Sequence, residues 1–185
     1  MIMDPRNQLR TPRLLLTAPR VTDIPRIATL ANDPDVAKMT LNIPHPYTEM
    51  DAVFWLNMAR EGRAGGHHYI FAIRDPEAEE FLGGVGITVN ELHQRGTLGY
   101  WLGQPYWGQG ITTEAVAALI AMGFEELKLH RIDATHLVTN PASGRVMEKN
   151  GMKKEALLED YFIRKGRISS VYQYRILRRE WAAEK

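Results

Sequence analysis

The stretch Gly99-Tyr100-Trp101-Leu102-Gly103-Gln104-Pro105-Tyr106-Trp107-Gly108-Gln109-Gly110-Ile111-Thr112-Thr113-Glu114-Ala115 carries chemistry in its spacing. A strand-like run enters a glycine-punctuated loop, and the loop opens a long helical pattern. A helix N-terminus offers N–H groups without intrahelical acceptors and a partial positive charge. Glycines at 108 and 110 let a bulky anion approach the backbone. The arrangement suits phosphate or pyrophosphate. Two familiar phosphate motifs fail on named residues. Gly103 and Gly108 have the gap of a P-loop, but Gln109 stands where that motif needs Lys and Gly110 where it needs Ser or Thr. A dinucleotide fingerprint needs a third glycine where Thr113 stands, and its acidic partner about 20 residues on would fall within the long helix. A lone Gly-x-Gly also fits a plain tight turn.

The elements that must hold this loop follow from pattern. Arg13 to Ala18, with its three leucines, reads as a strand. Thr22 can cap a short helix over Ile24, Ile27 and Leu30, which Asn32-Asp33-Pro34 stops. Thr48 and Asp51 form a capping-box pair before a helix with Val53, Phe54, Trp55 and Met58 that ends at Gly62. Strands follow at Tyr69–Ile73, Phe81–Val89 and Thr97–Leu102, the last two joined by a polar hairpin containing Asn90 and Gly96. The long helix runs from Thr113 to about Lys128, with Ala115, Ala118, Leu119 and Met122 as its stripe. Arg131 to Val138 reads as a strand. Pro141 to Asn150 reads as a helix with Gly151 at its left-handed stop. Strands near Lys154–Leu158 and Ser170–Leu177 close the chain. The result is an α/β chain: a mixed sheet with helices packed on it.

Composition narrows the class. The chain has 185 residues, with 44% hydrophobic and 24% charged, ordinary values for one globular domain over 1–185. A formal net charge of +1 gives no bulk attraction to nucleic acid or a membrane surface. With no cysteine, disulfides, thiolate metal sites and a cysteine nucleophile are excluded. No apolar run approaches the roughly 18 residues that span a bilayer. The polar start, with Asp4 and Pro5, lacks a signal peptide's apolar core. A cytoplasmic protein is expected.

A second set of residues joins the first. His130-Arg131-Ile132-Asp133-Ala134-Thr135 is followed by Asn140-Pro141-Ala142-Ser143, then Met147-Glu148-Lys149-Asn150-Gly151-Met152. Together with the glycine segment, the chain resembles the GNAT acetyltransferase superfamily, and more narrowly its RimJ/RimL-like branch of ribosomal-protein N-terminal acetyltransferases. The resemblance runs from Leu14 to about Leu177, with a domain core of about 13–177. It implies a mixed, mostly antiparallel sheet of about seven strands with a splayed pair and helices on both faces. It implies acetyl-CoA as co-substrate and a primary amine as acceptor, with no metal; a homodimer is left open.

The resemblance also assigns residues. Loop amides from Trp107 through Gly108, Gln109, Gly110, Ile111, Thr112 and Thr113 would hold the CoA pyrophosphate. Thr112, where Ala or Gly is usual, would add a hydroxyl or cap the helix. Tyr100, Trp101 and Leu102, on the splayed strand, would pair with the pantetheine arm; strand alternation puts Tyr100 and Trp101 on opposite faces, so at least one belongs to a core. Asn140 and Ser143 would lie beside the pantetheine and the thioester sulfur, or simply cap their Pro-started helix. Many members place a Tyr acid where this chain has Met147. Ser143 is then the remaining catalytic candidate for the leaving thiolate.

Aminolysis of a thioester needs a neutral amine close to the carbonyl carbon, a base and an oxyanion donor. An amide near Leu102 suits the last. His136, Glu91, His93, Glu114, His45 and Tyr47 are the candidate bases, and the sequence does not choose among them. The acceptor expected from the RimJ/RimL-like motifs is a protein N-terminal α-amine. A small amine (polyamine, amino acid or aminoglycoside) and a non-catalytic CoA-binding regulatory module are the alternatives.

Overall fold

A computed structural model describes residues 7–164 and 166–183. The polar start with Asp4 and Pro5 lies outside the described residues. Eight strands form one sheet: β1 (Gln8–Arg10), β2 (Leu15–Thr17), β3 (His68–Arg74), β4 (Phe81–Asn90), β5 (Arg95–Leu102), β6 (Arg131–Leu137), β7 (Lys153–Arg164) and β8 (Arg167–Leu177). Their order is β1-β2-β3-β4-β5-β6-β8-β7, and every neighbouring pair is antiparallel except β5–β6. The helices are α1 (Ile24–Ala31), α2 (Pro34–Met39), α3 (Glu49–Ala64), α4 (Ile111–Glu125), α5 (Pro141–Lys149) and α6 (Arg178–Ala183).

Strand alternation divides the core. Phe71 and Ile73 of β3 join Leu14, Leu16 and Ile87 under α4, whose Ala115, Val116, Leu119 and Ile120 are buried. Ala72, between those two β3 residues, faces Ile27, Leu30, Tyr47, Ala52 and Phe81 under α1 and α3. Small residues let α3 lie close to the sheet: its buried positions are Ala52, Ala59 and Gly62. A Cβ on Gly62 would come within 2.5 Å of the His68 Cβ. Gly62 is therefore a packing position inside the helix, and the helix runs two residues past it. Phe54 points outward and is 71% exposed. The Thr48–Asp51 capping box forms, with both reciprocal bonds to the backbone.

The structure differs from the sequence pattern where one residue serves two elements. Thr22 caps nothing; it lies within a 3-10 turn, Val21–Asp23, and α1 starts after it with Pro25 in its first turn. Asn32-Asp33-Pro34 stops α1 and also starts α2. The Asp33 carboxylate accepts from the Asp35 and Val36 amides at 2.7 and 3.2 Å. β1 adds an eighth strand. β7 and β8 extend beyond their apolar segments into a charged hairpin, with register shifts between Leu158 and Phe162. Gly96 lies within β5, paired with Val89, rather than in the turn.

The feature that makes a site is the β5–β6 seam. The two strands pair only from Arg95–Thr97 to Arg131–Asp133. The Thr97 hydroxyl donates to Asp133 at 2.8 Å as the last tie. Beyond it the strands diverge, leaving a gap headed by α4 on one side and α5 on the other.

Candidate active site

Backbone geometry aims β5 into the gap. The Gly103 N–H donates to Leu82 O at 2.9 Å. Bonded residues alternate along an antiparallel pair, so the N–H groups of Tyr100 and Leu102 turn toward β6, which has left. Side chains alternate too. Leu102 is buried and Tyr100 half-buried on the α4 side. Trp101 lies on the other face against Phe81 and Trp55, with ring centroids 5.7 and 6.5 Å away. Of the three strand residues, Trp101 is the one whose side chain belongs to the second core.

Past Leu102 the chain makes a short 3-10 turn and enters the glycine loop. The Trp107 indole N–H donates to Leu102 O at 2.8 Å, which fixes the loop to the strand it left. Gly108 and Gly110 have φ of +75° and +76°, in the left-handed region where L side chains are strained. Gly110 is the N-cap of α4 and contributes no side-chain cap. Thr112 lies past the cap, so its capping role is not realised. Among the described residues no acceptor meets the N–H groups of Gly108 through Thr113. These amides, with the positive end of α4, form a concave row of donors.

A clasp from the chain's beginning holds this row. Glu114, in the first turn of α4, accepts from the Thr11 hydroxyl at 2.6 Å, the Arg13 amide at 2.9 Å and Arg13 Nε at 2.7 Å. Arg13 Nη1 donates to Gln109 O at 3.1 Å. Its other nitrogen lies 3.4 Å from where a Gly110 Cβ would stand. Burial alone would raise the Glu114 pKa; the bonds from Thr11 and Arg13 outweigh it and hold the carboxyl below its ordinary range. Glu114 is thus an anchored anion. No spacing in the sequence pairs Arg13 with Glu114, although both stand in the segments already singled out.

The opposite wall is built by α5. The Asn140 side chain accepts from the Ser143 amide at 3.2 Å and donates to Met39 O at 3.0 Å. It caps α5 and ties it to α2. The Ser143 Oγ then lies 2.8 Å from the Tyr100 hydroxyl, which also reaches Ser143 O at 3.1 Å. A tyrosine and a serine therefore meet across the gap between β5 and α5. Burial pushes the Tyr100 phenol up to about 12, against the Ser143 bond, which acts the other way. Asn150 at the end of α5 donates to Thr113 O at 3.2 Å, linking both walls.

The candidate bases scatter. Tyr47 is core, its phenol pushed up to about 12 by burial and by Asp51. Glu91 and His93 lie on the exposed β4–β5 turn, at the paired end of the β5–β6 seam. His45 is exposed ahead of α3. His136 is buried between Tyr172 and Tyr174; its Nδ1 lies 2.8 Å from Leu137 O, and its Nε2 has no partner. A Cβ on Gly144 would fall 2.8 Å from that Nε2, so the histidine fills the space under α5. Among the described residues no three His, Asp or Glu side chains are grouped to hold a metal ion. No helix among them is long and apolar enough to cross a membrane.

The family described as "Acetyltransferase (GNAT) domain" matches residues 13–153. The chain is 34% identical over 180 residues to the uncharacterized N-acetyltransferase p20 of Bacillus licheniformis, spanning 94% of this chain and 98% of that protein. It is 30% identical over 110 residues to the ribosomal protein uS5 alanine N-acetyltransferase of Escherichia coli (strain K12), spanning 58% and 57% of the two. Its fold matches that of RimL, a ribosomal L7/L12 alpha-N-protein acetyltransferase solved with coenzyme A. There the TM-score is 0.82 at 17% identity, over 92% of this chain and 98% of that one.

Proposed function

We propose, for a chain that belongs to the GNAT acetyltransferase family and takes its acetyl group from acetyl-CoA, that the acceptor is the α-amine of a protein N-terminus. The observation that carries this is the kinship with the uS5 alanine enzyme, which acts on such an amine. The net charge of +1 adds to it, since it gives no acidic excess for a polycation. A cytoplasmic location goes with the same reading.

In this reading the pyrophosphate lies on the amides from Gly108 to Thr113, beside the Arg13 guanidinium. Trp107 shapes the loop and leaves no N–H for the ligand, because its backbone N–H donates to Gln104 O and its indole N–H to Leu102 O, while the Gln109 side chain donates to Pro105 O and leaves its backbone amide to the row. The pantetheine arm fills the gap and pairs with the edge of β5 at Tyr100 and Leu102, as an added strand would. The acetyl carbonyl meets the Leu102 N–H, which stabilises the oxyanion formed when the amine attacks. The carbon–sulfur bond then breaks. Its electron pair stays on sulfur, and the Ser143 hydroxyl hydrogen-bonds the departing thiolate.

A panel of N-terminal peptides against spermidine, free amino acids and an aminoglycoside tests the acceptor. CoA release is read with a thiol reagent, which the cysteine-free chain does not itself consume. Peptides should be turned over with the higher kcat/KM. A polyamine or aminoglycoside that outruns every peptide would replace this reading. Binding of acetyl-CoA without turnover of any amine would make the chain a regulatory module.

A further inference from the structure

The contact between Tyr100 and Ser143 holds more than a tether needs. One bond to a backbone carbonyl would be enough to close the gap. Tyr100 instead has two acceptors within reach of a single proton: Ser143 O at 3.1 Å and Ser143 Oγ at 2.8 Å. A carbonyl oxygen only accepts, whereas a hydroxyl oxygen can do either. Two arrangements follow. In the first, Tyr100 donates to Ser143 O, and the Ser143 hydroxyl donates back to Tyr100. Both bonds are made, but the serine proton points away from any ligand. In the second, Tyr100 donates to Ser143 Oγ, and the serine proton is free.

We infer that Tyr100 is a positioning residue for Ser143: its hydroxyl turns from the serine carbonyl to the serine Oγ when the thioester sulfur arrives, and so releases the Ser143 O–H to bond the departing thiolate. This rests on the reading above that Ser143 serves the leaving group. The turn exchanges the longer bond for a new one to sulfur, so the resting pair opposes it only weakly. The rest of the site leaves few other freedoms. Asn140 fixes the Ser143 backbone through its amide, and Met39 O fixes Asn140. No proton leaves Tyr100. A phenol is ordinarily a weaker acid than a thiol, and burial pushes the Tyr100 phenol further up, so handing its proton to a thiolate is disfavoured. The pair donates hydrogen bonds only. The sulfur leaves as thiolate, and the ammonium proton of the acetylated amine passes to solvent.

A double-mutant cycle tests this on the full chain, with acetyl-CoA and whichever amine the wild type uses best. Melting curves confirm that Tyr100→Phe and Ser143→Ala are folded. Each single variant should lose about tenfold in kcat while KM for acetyl-CoA stays within about twofold. The double variant should be no slower than Ser143→Ala, because Tyr100 acts through that oxygen. Losses that multiply would overturn the inference, and so would a Tyr100→Phe variant at the wild-type rate beside a slow Ser143→Ala. If Ser143→Ala itself keeps the wild-type kcat, the serine has no role at sulfur, and both the leaving-group reading and this inference fall. A KM rise without loss of kcat in Tyr100→Phe would reduce the tyrosine to a binding residue.

Discussion

Removing Arg13 should weaken acetyl-CoA binding more than it weakens the fold. Its guanidinium lies against the glycine loop, bonded to Gln109 O and 3.4 Å from the Cβ position of Gly110. A phosphate on the adjacent amides would be a close neighbour of that charge, and roughly 6 Å is taken for their separation. At that separation a pair of unit charges is worth about 0.7 kcal/mol in bulk water and about 2.8 kcal/mol at an effective dielectric of 20. The Arg13 side chain is 56% exposed, so the value falls toward the lower end. Arg13→Ala also uncovers the Glu114 carboxylate, which then faces the phosphates unneutralised. Together about 1.4 kcal/mol is expected, or roughly a tenfold rise in Kd. Calorimetric titration with acetyl-CoA at low and high salt measures it. The ratio of mutant to wild-type Kd should shrink at high salt, since the lost term is Coulombic and solvent-facing. Glu114→Gln should not weaken binding. An Arg13→Ala protein that binds within twofold of wild type at low salt would refute the electrostatic account and leave Arg13 a purely structural clasp.

Gly110→Val places a branched side chain at φ +76°, at a cost of about 1–2 kcal/mol and several degrees of melting temperature. Saturating acetyl-CoA at 100 times Kd should raise wild-type melting by about 2.7 kcal/mol of linkage and leave the folded variant unmoved; a normal shift would remove the loop from the phosphate site. Arg74 is 1% exposed and makes a two-pronged ion pair with Asp23 at 2.6 and 2.9 Å, so Asp23→Ala strands a buried cation. Denaturant unfolding should show a loss of about 3–5 kcal/mol, and a loss under about 1 kcal/mol would contradict it. Glu180 accepts from Lys153, Arg175 and the Leu177 amide; the bonds from Lys153 and Arg175 lower its pKa to about 2 from 4.5. A lowered folded pKa gives stability that is complete above about 4.5 and lost as pH falls toward 2. The melting difference between wild type and Glu180→Gln should therefore be flat above about pH 5 and vanish near pH 2; a difference independent of pH would show that charge is not what Glu180 contributes.

What could be read beforehand was what local chemistry encodes. The glycine loop, the Thr48–Asp51 box, α5 with Gly151 at φ +73°, and the three-strand meander all depend on residues within a few positions of each other. β1 escaped because Gln8-Leu9-Arg10 has a single apolar residue, too short a run to establish a period. α2 escaped because Asp33-Pro34 looks the same whether it ends one helix or begins the next. β7 continues past Glu159 and Asp160, charges that read as loop and lie in the irregularity between Leu158 and Phe162, where pairing with β8 resumes. The site divided in the same way. The loop's character is local, but its clasp joins residues 96 to 103 apart and the Tyr100–Ser143 contact joins residues 43 apart. Alternation said that Tyr100 and Trp101 face opposite ways; only the packed aromatic cluster said which one faces the gap.

That clasp also has a consequence in time. The residues that brace the cofactor loop are synthesised about a hundred residues before the loop itself. Contacts of such long separation form late in folding. The donor row around Gly110 is therefore complete only when the first strands have docked beside β3 and α4 has packed beneath them. Acetyl-CoA should then lower the unfolding rate while leaving the folding rate nearly untouched, because it stabilises an arrangement absent from the transition state. In a cell where the cofactor is plentiful, such a protein is protected from opening once folded, but gains no help in getting there.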